Sequence, residues 1–176
     1  MNRPTGRPAA GLPSAASLPS VVAPPSAVAP PFVPSLPLGA TMALWPLSAL
    51  GAGVEVEPPL YVSGGKWLHP LFDLLDLIAT ESDEAATLTA AGELFLRDRV
   101  IGRGAAFLIL RAGIRNAWAD VVSDGAIALF AAHGASLGGG ERVASIDCQT
   151  ESLLRAVDDA DLAWALLRDR RAAPSA

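Results

Sequence analysis

From Glu93 onward, hydrophobic and polar positions fall into a regular succession of runs. Residues 93–101 read as a strand, and residues 102–112 as a helix that is apolar almost throughout except at Arg103 and Arg111, closed by Gly113. Residues 116–122 form a second apolar run, buried on both faces apart from Asp120. Ser123 or Asp124 then caps a helix running to His133 and stopped by Gly134. Two short strands, residues 135–137 and 142–146, are expected on either side of a turn at Gly138, Gly139 and Gly140. Asp147 is the expected cap of a further helix bearing Leu153, Leu154 and Val157. A last helical piece carries Leu162, Trp164, Ala165 and Leu166 after the acids Asp158, Asp159 and Asp161, which suit a helix N-terminus.

Upstream the pattern is less regular. Pro70 suits the first position of a helix whose apolar face is Leu71, Leu74, Leu75 and Ile78, with His69 as its cap. The acids between Glu81 and Glu84 read as a solvated loop or frayed turn. Residues 41–65 hold short apolar runs, Met42 to Trp45, Val54 to Val56 and Leu60 to Val62, broken by Gly51, Gly53, Pro58 and Pro59, and read as a weak hairpin or edge strands. Strands alternating with helices imply crossover units in an α/β fold, a three-layer α/β/α sandwich around a mixed sheet of about four to five strands.

Composition divides the chain in two. Thirteen of the fifteen prolines lie between Pro4 and Pro59. Residues 1–59 are therefore expected to be a disordered, partly polyproline-II leader, residues 60–171 the folded domain, and residues 172–176 a disordered tail. Prolines interrupt every apolar stretch that could span a membrane or serve as a secretory signal. A cytoplasmic location is the default, with an organelle the alternative if the acid-free stretch before Glu55 is a transit peptide. Translation starting at Met42 would explain the leader equally well.

Charge excludes one class of partner. After residue 60, eleven basic residues face sixteen acids and form no stripe, so nucleic-acid binding is disfavoured. The single cysteine, Cys148, excludes an internal disulfide and any multi-cysteine metal site in one chain. His69 and His133 have structural readings at helix ends, so no metal is expected, and neither a P-loop nor a full dinucleotide fingerprint is present, so no cofactor is expected either.

Two places could carry chemistry. At the strand-to-helix joint from Asp98 through Arg99, Gly102, Arg103 and Gly104, glycines at a helix start let backbone amides approach an anion, although small residues there also permit close helix-on-sheet packing. Cys148 is expected in the first turn of a helix, where the dipole favours a thiolate, with Glu151 one turn on. A nucleophilic thiol needs a base, and only the two histidines are available. Cys148 and Glu151 are the weak catalytic candidates, and a small, partly buried thiol is the competing reading.

Three segments, Pro70 to Leu75, Asp98 to Ala106 and Trp118 to Ser123, together resemble an uncharacterised bacterial and archaeal family of small domains of unknown function with a cytidine-deaminase-like fold. Cys148-x-x-Glu151 matches an element of that family, with Gln149 standing where the family carries proline. The resemblance implies a deaminase-like sandwich and permits a chemical test. Zinc deaminases need His-x-Glu or Cys-x-Glu on one helix and Cys-x-x-Cys on the next. The corresponding helix starts here read Gly102-Arg103-Gly104 and Ser123-Asp124-Gly125, which excludes hydrolytic deamination by that route. The leading expectation is a non-catalytic domain that binds a small anionic, nucleotide-like ligand between those two helix starts, with Asp98, Arg99, Gly102, Arg103, Gly104 and Ser123 as its binding residues. The alternatives are a thiol-dependent enzyme or redox sensor using Cys148, and a structural module that self-associates into a homo-oligomer.

Overall fold

A computed structural model describes residues 32–50, 57–80 and 82–172. The expectations for the leader up to residue 31, for Val54 to Val56, for Glu81 and for the last four residues lie outside the described part. Five strands form one mixed sheet in the order β2-β1-β3-β4-β5, comprising β1 Met42–Pro46, β2 Tyr61–Ser63, β3 Leu94–Ile101, β4 Asn116–Ser123 and β5 Ser136–Val143. β1 runs antiparallel to both of its neighbours, while β3, β4 and β5 are mutually parallel. Among the described residues six α-helices accompany them: α1 His69–Ile78, α2 Asp83–Ala90, α3 Arg103–Arg111, α4 Asp124–Ala132, α5 Gln149–Leu154 and α6 Ala160–Ala172. The α/β class and the mixed sheet are as the alternation of runs implies.

The two faces of the sheet are covered differently. Met42, Leu44 and Leu96 point into a large core to which all six helices contribute, through residues such as Leu74, Leu88, Ile109, Phe130, Leu154 and Leu167. The alternate residues Ala43, Trp45 and Phe95 pack on the other face against Leu50, Val33, Leu36 and Leu47. Among the described residues, this face is covered by the irregular stretch before and after β1, with one 3-10 turn at Leu47–Leu50.

Several boundaries differ from expectation, each for a physical reason. The domain does not begin at residue 60: Met42 to Trp45 are buried and hydrogen-bonded on both sides as an interior strand, so a leader ending at residue 59 would remove the second strand of the sheet. The acidic stretch is not a loop. Ser82 accepts a hydrogen bond from the Ala85 amide, Asp83 and Glu84 complement the dipole of the first turn, and Ala85 and Leu88 anchor α2 to the core. Leu68, not His69, is the cap of α1, and Cys148, not Asp147, is the cap of α5. Of the apolar residues named on the last two helices, Leu153 and Leu162 are exposed and Leu154 is buried, together with Ala163 and Leu167.

The glycine triplet is not a turn either. β5 continues straight through it, with Gly138 opposite Trp118 and Gly139 opposite Ala119. A Cβ at Gly138 would stand 2.6 Å from Trp118 Cδ1 and one at Gly139 2.5 Å from Val122 Cγ2, so the glycines leave room for side chains of the neighbouring strand. Gly113 and Gly134 do act as helix stops. Each adopts positive φ after its helix, and the next residue's amide reaches five residues back, Ile114 to Ile109 and Ala135 to Phe130, closing α3 and α4 in the same way.

Candidate functional site

Parallel strands that feed directly into helices bring helix N-termini together at one end of the sheet, and that end is where the expected binding residues fall. β3 ends at Ile101 and α3 starts at Arg103; β4 ends at Ser123 and α4 starts at Asp124. Glu151 of α5 enters between them. Its buried carboxylate accepts the Arg103 amide hydrogen at 2.6 Å through Oε2, and its Oε1 lies 3.8 Å from where a side chain on Gly125 would begin. A Cβ at Gly102 would meet Oε2 at 2.7 Å and one at Gly104 would meet Thr150 Cγ2 at 2.7 Å. The glycines at this helix start thus admit α5 and its carboxylate, and the anion held by the bare amide is the chain's own.

Arg103 packs beside the start of α4, its guanidinium 3.5 Å from Gly125 O. Its guanidinium is buried and bonds Leu154 O at 2.8 Å, Val157 O at 2.5 Å and Asp158 Oδ1 at 2.5 Å, stitching α3 to the α5–α6 connection. Ser123 is wholly buried as the N-cap of α4, its hydroxyl accepting from the Ala126 amide at 3.2 Å. Gly102, Arg103, Gly104, Ser123 and Glu151 are therefore committed to holding helices together.

Asp98 and Arg99 have a different setting. They line an open cavity of about 560 Å³ whose other walls include Lys66, Trp67, Leu68, Cys148 and Glu151. Asp98 Oδ1 accepts the amides of Arg99 at 2.6 Å and Val100 at 3.2 Å. Burial pushes its carboxyl up to about 6, outweighing the downward pull of those two amides and of the Arg97 guanidinium, while Asp120 adds a smaller upward push. Lys66 and Arg99 are exposed and form no ion pair among the described residues.

The wall opposite Asp98 belongs to a stretch that sequence reasoning left unassigned. Thr41 Oγ1 donates to Gly65 O at 2.7 Å and to Ser63 O at 3.1 Å, pinning the chain beyond β2. Trp67 follows with φ of 59°, the one non-glycine residue with positive φ among the described residues, and its indole is 80% exposed. A bulky residue held in left-handed backbone with its ring in solvent is a recognised mark of function. The available signal was the run Gly64-Gly65-Lys66-Trp67, a glycine pair ahead of a cation and an aromatic.

Cys148 lies between this cavity and a second of about 460 Å³, sharing Trp67, Leu68 and Thr150 with both. As cap, its sulfur accepts the Glu151 amide at 3.4 Å. His69 lines the second cavity with it, whereas His133 sits at the C-cap of α4 with Nδ1 2.9 Å from Leu129 O. Among the described residues, no three His, Cys, Asp or Glu side chains group so as to hold a metal, and no helix is long and apolar enough to cross a membrane.

Comparison with known proteins places this geometry in a family without assigning it a role. No curated protein matches the chain. A crystal structure of a DUF1893 family protein, TM1506 from Thermotoga maritima, superposes with a TM-score of 0.56 at 16% identity, covering 74% of this chain and 80% of that one, which establishes a shared fold. The model of the family described as TM1506, domain of unknown function (DUF1893), matches residues 70–170, more than half of the sequence, and the chain belongs to that family.

Proposed function

We propose that this is a non-catalytic, deaminase-like domain that binds a small anionic, nucleotide-like ligand in the cavity beside Asp98. The observation that carries the reading is the pair of exposed cations, Lys66 and Arg99, on the wall of one cavity with no carboxylate partner among the described residues. Surface cations that make no intramolecular pair but converge on a concavity are the usual means of holding a phosphate or carboxylate. The binding place thus moves from the cleft between the helix starts, which Glu151 fills, to its rim, and of the two arginines expected to contact the anion Arg99 keeps that role.

The deaminase-like part of the reading is supported by the arrangement of elements. An antiparallel β2–β1 pair precedes three parallel strands, and α3 and α4 begin side by side at one end of the sheet. Those two helix starts are where a zinc deaminase would carry its metal ligands. Here they present Gly102-Arg103-Gly104 and Ser123-Asp124-Gly125, and Glu151 is hydrogen-bonded to a backbone amide, so the residues at that place suit a structural carboxylate and not a tetrahedral metal site. A panel of nucleotides and sugar phosphates screened by thermal unfolding tests the reading. A phosphate-bearing compound should raise the melting temperature, and Lys66→Ala with Arg99→Ala should abolish the rise; an inert wild type across the panel counts against it.

A thiol-dependent reaction at Cys148 is the second reading, favoured by His69 on the wall of the same cavity. Alkylation rate measured against pH decides between them. A reactivity midpoint well below the ordinary thiol range, moved upward in His69→Ala, supports it, and an ordinary midpoint removes it.

A further inference from the structure

The charges around the Asp98 cavity narrow the kind of molecule it can take. Besides the thiol of Cys148, four acidic or basic side chains line it, the cations Lys66 and Arg99 and the carboxyl groups Asp98 and Glu151. Among the described residues none of the four is in an ion pair, with each other or with anything else. Their charges cancel when both acids are ionised. A ligand bearing only negative groups would satisfy the two cations but leave Asp98 and Glu151 facing it without a partner, which weakens its hold.

A ligand that carries both signs meets no such conflict. Asp98 is the natural partner for a cationic nitrogen, because its Oδ1 is held by two backbone amides while no donor occupies its other oxygen among the described residues. Trp67 adds a second attraction for the same group. Its exposed side chain lines the same cavity, and an aromatic face attracts an ammonium through its ring quadrupole.

We infer that the ligand of this cavity is dipolar, an anionic group held by Lys66 and Arg99 joined by a short linker to an amine or ammonium held by Asp98 and Trp67. The inference rests on the anion-binding reading above and specifies its ligand class. Glu151, already bonded to the Arg103 amide, contributes negative potential rather than a contact.

Phosphoethanolamine, inorganic phosphate and ethanolamine separate the two halves of the idea in a thermal unfolding titration of the full chain. Phosphoethanolamine should stabilise the protein more than the sum of phosphate and ethanolamine at equal concentration. Asp98→Asn should weaken phosphoethanolamine about fivefold to tenfold while leaving phosphate unchanged, Trp67→Ala should weaken it less, and Arg99→Ala should weaken both phosphate and phosphoethanolamine. Because Asp98→Asn alters stability by itself, each variant is scored by its shift relative to its own ligand-free midpoint. If phosphate stabilises as well as phosphoethanolamine and only Arg99→Ala removes the effect, the anion-binding reading stands and the dipolar ligand is wrong. If none of the three compounds moves the midpoint, both fall.

Discussion

The start of α3 and the cavity rim a few residues before it use the same residue types to opposite ends. At the helix start, Glu151 meets an amide, Arg103 meets three carbonyls and an aspartate, and both side chains are buried. At the rim, Asp98, Arg99 and Lys66 line open space and none has an ionic partner among the described residues. A glycine-rich helix start is therefore no evidence of a ligand until its amides are shown to lack an internal acceptor. Charges left over after the internal bonds have been assigned are the better guide.

That contrast predicts a graded series of effects, the largest at the saturated end. Arg103→Ala removes a guanidinium that is 10% exposed and strands the carbonyls of Leu154 and Val157, so unfolding free energy should fall by about 3 kcal/mol in a denaturant titration. Glu151→Ala should cost about 2 kcal/mol, because the buried Arg103 amide loses its acceptor. Glu151→Gln keeps an oxygen there and should recover part of that loss. If either alanine variant were as stable as the wild type, the helix start would not be held together in the way described.

Asp98→Asn should act in the opposite direction and depend on pH. The folded carboxyl is raised from 3.8 to about 6, so the native state keeps its proton where the unfolded chain has released it. Stability contributed by this group is then lost as pH rises from about 4 to 6, and the full penalty remains above 6. The two values bound that penalty near 3 kcal/mol, and partial access of water to the cavity wall reduces it to about 1 to 2. Denaturation at pH 7.5 should find Asp98→Asn the more stable protein, and at pH 4 the two should coincide. A constant difference across that range would mean that Asp98 does not titrate as stated. A gain in stability on removing Asp98 would be in keeping with the proposed binding role.

The same division governs what could be read from the chain in advance. The β3-α3-β4-α4 stretch was legible because long apolar runs are bounded by Gly113 and Gly134, whose effect is local. β5 was not, because the reason for Gly138 and Gly139 is the bulk of Trp118 and Val122 on another strand. β1 was hidden by its proline-rich surroundings, although Met42 to Trp45 are among the most buried residues. Asp98 and Arg99 stood out as part of the strand-to-helix joint that runs to Gly104. Glu151 as the internal anion could not be foreseen, since it reaches the Arg103 amide across 48 residues of chain. Lys66 and Trp67 come to the site from an irregular segment tied down by Thr41, a contact that no periodicity announces.

The smallest effect on the fold should come from the two rim cations, and it tests the comparison most sharply. Lys66→Ala and Arg99→Ala remove exposed charges that bond to nothing among the described residues, so each should change unfolding free energy by no more than about 0.5 kcal/mol. Arg99 keeps its backbone in either case, since its amide donates both to Thr41 O and to Asp98 Oδ1 whatever the side chain. A loss approaching that of Arg103→Ala would show that the rim is structural after all and that its charges find partners in solution. A neutral result leaves two cations on a cavity wall with no part in folding, which is what the proposed anion contact requires of them.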